Sequence, residues 1–179
     1  MGSAGSTGAP PGQSPLQRLL GEIQITPLPD RADYRDVTDA VGEAIVQAAR
    51  MNPQRFFAVL AEEPALHEHS DVLWALGSIK NRLAIPTLAA GLRSRSAHIR
   101  WAAASSLAAY HEEAAITALL SALGDRAVTV RHVIIEALGQ QGDRRAVEPL
   151  RAAQERPTNR KSPYTMQLIA QALTRLGAT

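Results

Sequence analysis

The chain has 179 residues and no cysteine, so neither a disulfide framework nor thiolate chemistry is open to it. Aromatic residues make up only 4% of it, which leaves leucine, isoleucine, valine and alanine to build a core. No run approaches the ~18 consecutive apolar residues of a membrane-spanning helix. The N-terminus lacks the charged and apolar regions of a secretory signal, so the expectation is a cytoplasmic protein without a membrane span. Met1-Gly2-Ser3-Ala4-Gly5-Ser6 matches the loose myristoylation pattern, as Gly- and Ser-rich tails often do, and is read as such a tail. Phosphate-binding loops, a dinucleotide glycine fingerprint and a motif-supported Ser/His/Asp order are also missing. Glu62-Glu63 and Glu112-Glu113 are sequence neighbours, which point apart on a helix and cannot form a catalytic pair directly. His67-Glu68-His69 has no evident third ligand and reads as a solvated loop. No metal and no cofactor are expected.

A strong charge of one sign is absent as well: the formal net charge is +2. It is unevenly distributed, with 5 basic against 9 acidic residues up to residue 70, and 14 against 8 beyond it. The second part could favour an acidic partner, although basicity of this size is common on solvated surfaces.

What the chain does have is a period of 31 residues. Leu76, Leu107 and Leu138 share one frame position, Leu88, Leu119 and Leu150 another, and Arg100 and Arg131 a third. A fixed period of this size marks a solenoid, whose units bury their apolar faces only against their neighbours. First helices are expected near 71–80, 97–110 and 128–140, and second helices near 82–93, 113–123 and 144–155. Asn81, Glu112 and Asp143 share the turn between them, where Asn and Asp cap a helix well and Glu poorly. Gly77, Gly139 and Gly142 fall near the first-helix ends, where a left-handed residue stops a helix. Val37 to Arg50 and Pro53 to Glu63 form a diverged first repeat, since Ile45 and Phe57 lie 31 residues before Leu76 and Leu88. A final helix from Tyr164 to Leu176 follows a four-residue slip and closes the array. Residues 1–36 are expected to be a flexible tail with an extended apolar segment at about 21–30, and residues 37–179 the repeat domain.

Ile99-Arg100, Val130-Arg131, Ala75-Leu76-Gly77, Ala137-Leu138-Gly139, Gly142-Asp143 and Ala84-Ile85-Pro86-Thr87-Leu88 together resemble the short HEAT-like repeats named after phycobilisome lyases. The resemblance implies an all-α, right-handed α-solenoid of about four two-helix repeats with a C-terminal capping helix, and second helices that line its concave face. It does not specify function, because such repeats serve lyases, chaperone-like factors and adaptors alike.

With Ile85, Leu88 and Leu92 facing the core, the free side of the second helices carries Phe56, Val59, Leu83, Thr87, Ala90, Ala118, Ser121 and Arg145. These residues are the candidate groove for a peptide or helix of a partner protein. The alternative for Phe56 and Val59 is that the chain's own segment 21–30 covers them. Trp74 and Trp101 have polar equivalents at their frame positions and are candidates for a convex contact patch; ordinary packing is the alternative. Arg100 and Arg131 form a basic ladder, read either as pairs with Asp125 and other turn residues that hold repeats in register, or as an anionic-ligand site joined by Arg93, Arg95 and Arg126. The resulting expectation is a non-catalytic adaptor or scaffold that binds another protein. The alternatives are a bilin lyase-type or chaperone-like subunit acting on phycobiliproteins, and a nucleic-acid binder, disfavoured by the lack of stacking aromatics.

Overall fold

The first repeat begins at Tyr34, three residues inside the stretch expected to be tail. The computed structural model describes residues 34–62 and 64–178; the proposed extended segment at 21–30 lies outside the described residues. Ten α-helices occupy them: α1 Tyr34–Met51, α2 Pro53–Glu62, α3 Ser70–Ile79, α4 Ile85–Gly91, α5 Ala97–Leu107, α6 Glu113–Ala122, α7 Val128–Gln141, α8 Val147–Gln154, the short α9 Pro157–Arg160, and α10 Pro163–Arg175. The first helices α1, α3, α5, α7 and α10 stack in sequence as one layer. The second helices α2, α4, α6 and α8 form the other, and the fold is an all-α solenoid of four helix pairs closed by α10.

The period explains this order. Leu76, Leu107 and Leu138 are each 0% exposed, and so are Leu88, Leu119 and Leu150. Each of the three later repeats therefore places the same two leucines, and the first Ile45 and Phe57, in a core that runs from Ile45 to Leu176. Two second helices start later than their periodicity suggests, because Arg82–Ala84 and Arg144–Ala146 wind as tight 3-10 turns first. Their caps follow the chemistry: the Asn81 and Asp143 side chains accept from the backbone N–H groups of Leu83 and Arg145, whereas Glu112 makes no cap bond.

The glycines divide into two roles. Gly142 ends α7 in the left-handed region at φ 73°, as expected, and Lys80 takes the equivalent place after α3 at φ 52°. Gly77 and Gly139 do not end helices. A Cβ on Gly139 would lie 2.8 Å from Cα of Ala172 and one on Gly77 2.9 Å from Cβ of Ser106, so both are glycine to let neighbouring first helices touch. The outer face of α10 carries Gln167, Gln171, Thr174 and Arg175, all exposed, while Leu168, Ile169, Ala172 and Leu173 are buried. That polar face suits a terminal unit.

Candidate partner-binding surfaces

Neighbouring repeats are tied at both ends of their first helices, and this sets where side chains of the candidate surfaces stand. At the turns between repeats, the Arg100 guanidinium donates from Nε to Oδ2 of Asp125 at 2.6 Å and from Nη2 to Oδ1 at 2.9 Å. Its Nη1 donates to the carbonyls of Ser94 and Arg95. Arg131 repeats the pattern one unit on: Nη1 donates to the carbonyls of Asp125 and Arg126, and Nε to Oδ1 of Asn159 at 3.0 Å. Asn159 is 0% exposed and passes its own amide N–H to the carbonyl of Ala153. Arg100 and Arg131 are only 4% and 8% exposed, so the reading of this ladder as an anion site is corrected. Both guanidinium groups are consumed in holding turns together. Burial pushes the Asp125 carboxyl up, but the hydrogen bonds from Arg100 and the Ala127 N–H and the nearby arginine charges outweigh it and hold it below the usual carboxylate range.

The opposite edge has its own tie. The Tyr110 hydroxyl donates to the carbonyl of Leu76. Gln141, 31 residues later, donates from Nε2 to the carbonyls of Leu107 and Tyr110. Sequence reading missed this pair because a phenol and an amide look unrelated; extending the 31-residue frame to positions 110 and 141 would have aligned them. Burial raises the Tyr110 pKa to about 12 from 10.0. Between those values the unfolded chain has lost a proton that the folded chain keeps, so stability is full below pH 10 and falls as the pH rises toward about 12. Alkaline unfolding followed by circular dichroism should show this decline, and Tyr110→Phe should remove its contribution.

On the second-helix face the expected residues fare unequally. Phe56 is corrected: it is 1% exposed and packs edge-on against Phe57 at 5.2 Å, inside the core. Val59 is half-buried, and Leu83 is 51% exposed. Thr87, Ala90 and Ala118 are partly exposed, and Ser121 is exposed with its hydroxyl donating to the carbonyl of Ala118 at 2.7 Å. Between α4 and α6 lies a shallow cleft of about 400 Å³, lined by Ala89, Leu92, Arg93, Ala118 and Ser121 among others. Arg145 stands exposed at the start of this face but is engaged by Asp143 at 2.8 Å and Glu113 at 2.6 Å. These bonds, with Asp143 first, raise its pKa further.

On the first-helix face Trp74 and Trp101 meet edge to face, with ring centroids 5.3 Å apart, and His98 stacks on Trp101. Trp74 is 39% exposed, while Trp101 is half-buried against the core. The exposed ring of Trp74 forms part of an open groove of about 1020 Å³ between α1 and α3, whose other walls include Glu43, Gln47, Arg50 and Asp71. His67 bonds Glu68 at 3.3 Å, and among the described residues no three potential ligands converge on a metal position.

The model of the family described as HEAT repeats matches residues 56–131, and that of the PBS lyase HEAT-like repeat matches residues 130–156. The chain is a HEAT-like repeat protein. Among solved structures, the HEAT-like chain resembles one from the complex of CpcE and CpcF of phycocyanin lyase from Nostoc sp. PCC7120. The TM-score is 0.56 at 19% identity, over 100% of this chain and 71% of that one. At that identity the likeness is one of fold. A search of curated proteins gives no match. No helix among the described residues is long and apolar enough to cross a membrane.

Proposed function

We propose that this HEAT-like protein is a non-catalytic adaptor that holds a peptide or helix of another protein along its second-helix face. The observation that carries the reading is Leu83, a large aliphatic side chain left 51% exposed at the head of a track of small residues. Val59 flanks it, and Thr87, Ala90, Ala118 and Ser121 continue the track into the cleft between α4 and α6. An apolar side chain beside a small-residue channel suits a helix or strand laid across it. Because Phe56 belongs to the core, a charge placed there would unfold the repeat and say nothing of binding; Leu83 is the informative position. Leu83→Asp should leave thermal stability within about 0.5 kcal/mol of wild type. Affinity purification of the native protein with mass spectrometry should then recover a stoichiometric partner with wild type and lose it with Leu83→Asp. A partner held equally by both would overturn the assignment of this face.

A second reading, a bilin lyase-type subunit, is favoured by the match to the PBS lyase HEAT-like repeat and by the fold shared with a chain of the phycocyanin lyase complex. Mixing the protein with a free bilin and following visible absorbance separates the two, since a shift in the pigment band belongs only to the second.

A further inference from the structure

The two edges of the solenoid differ in charge. At the tight turns within repeats, the exposed cations Lys80, Arg82, Arg144 and Arg145 share their edge with Glu112, Glu113 and Asp143, and Arg145 is bonded to two of these acids. At the turns between repeats the exposed cations are Arg93, Arg95, Arg126, Arg156, Arg160 and Lys161. Among the described residues the side chains of Arg93, Arg95 and Lys161 have no bonded partner, and those of Arg126 and Arg156 donate only to the carbonyls of Arg95 and Leu123. Arg160 has one acid, Glu155, at 3.7 Å with both side chains well exposed. Of the other acids of this edge, Asp125 is already neutralised by Arg100, and Glu68 accepts from the Ser94 hydroxyl at 2.6 Å, beside the first rung. Second-helix C-termini and first-helix N-termini meet here, so their dipoles oppose one another and side chains set the sign.

Three of these cations are periodic. Ser94, Asp125 and Asn159 occupy equivalent positions in successive turns, Ser94 and Asn159 buried and the Asp125 side chain nearly so, and Arg95, Arg126 and Arg160 follow them immediately. The carbonyls of Arg95 and Arg126 are the ones gripped by buried Arg100 and Arg131, so the inner ladder fixes the backbone of the first two outer rungs. Packed helices lie roughly 10 Å apart. A chain in the polyproline II conformation advances about 3.1 Å per residue with about three residues per turn, so every third side chain returns to the same side, level with a rung.

We propose that this ridge docks an acidic polypeptide segment in the polyproline II conformation, with a carboxylate at about every third residue, seated on Arg95, Arg126 and Arg160. This surface is distinct from the second-helix track and does not depend on it. A single-stranded nucleic acid is the weaker fit, because it also takes stacking aromatics; Arg95 and Arg126 are flanked instead by Ser94, Ser96, Asp125 and Ala127.

The test is fluorescence anisotropy on the full chain with a labelled peptide carrying Glu at every third position, a peptide of the same composition with its Glu residues contiguous, and a labelled oligothymidine. The spaced peptide should bind most tightly. The triple variant Arg95→Gln, Arg126→Gln, Arg160→Gln should bind it at least about tenfold more weakly, as the sum of three exposed ion pairs. The charge-matched triple Lys80→Gln, Arg82→Gln, Arg144→Gln on the other edge should bind it as wild type does, with circular dichroism confirming both folds. Equal loss in the two triples, equal binding of the two peptides, tighter binding of oligothymidine, or no peptide binding at all would each overturn the proposal. Leu83→Asp should leave peptide binding intact, so failure of the ridge and failure of the second-helix track are read separately.

Discussion

Asp125→Ala is expected to lower the unfolding midpoint by roughly 10 °C, the scale that a loss of about 3–5 kcal/mol produces in a chain of this size. The side chains of Arg100 and Asp125 are 5% and 8% exposed, so removing the carboxylate strands a guanidinium that water cannot reach. It also takes the acceptor from the Ala127 N–H, bonded at 2.7 Å, at the start of a helix that has no other side-chain cap. Replacing both partners by apolar residues, Arg100→Met with Asp125→Leu, should cost less than either single change, because no buried charge is then left alone. The pair also has a pH signature. Asp125 has a folded value below its unfolded one, so its stabilisation is complete above the ordinary carboxylate range and is lost as the pH falls through the depressed value. Thermal melts across acidic pH should therefore fall more steeply for wild type than for Asp125→Ala; parallel curves would mean that the pair is not the origin of that dependence.

Leu107→Ala should cost about 2–5 kcal/mol, the range for truncating a fully buried leucine whose surroundings cannot collapse. Leu107 is 0% exposed and sits in α5, with α3 on one side and α7 on the other. A solenoid has no contacts that bypass a damaged unit, so the effect should reach cooperativity as well as stability. Urea unfolding should show a lower midpoint and a broadened or split transition. A midpoint shift with an unchanged sharp transition would show that the repeats are coupled more widely than through their neighbours.

How far these features could be read from the residues depended on what repeats. The leucines recur at identical positions because each unit buries the same face, so the helix order and the core followed from the period. Burial at the first repeat did not. The frame put Phe57 in the core and Phe56 on the free side, whereas in the structure the two rings pack against each other and both are covered. The arginine ladder was visible as Arg100 and Arg131, and the pairing of Arg100 with Asp125 followed from their chemistry. The partner of Arg131 was hidden because Asn159 stands 34 residues after Asp125, displaced by the insertion that α9 occupies, and is an amide instead of an acid. Gly77 and Gly139 were placed at helix ends on composition alone; only the approach of Ser106 and Ala172 reveals why no side chain fits there. The adjacency of Trp74 and Trp101 was anticipated from their polar equivalents, but the depth of Trp101 depended on packing that the period does not encode.

The ties at both ends of the first helices bear on how the molecule meets a partner. The guanidinium chain runs along one edge from α5 to α9, and the Tyr110 and Gln141 bonds run along the other from α3 to α7. Between α5 and α7, where both sets are present, sliding one repeat past the next would break polar bonds at both edges at once, and bending would stretch one set or the other. The central part of the array is thus a template of preset curvature, and a partner that binds it is selected by its own shape, with little adjustment by the array.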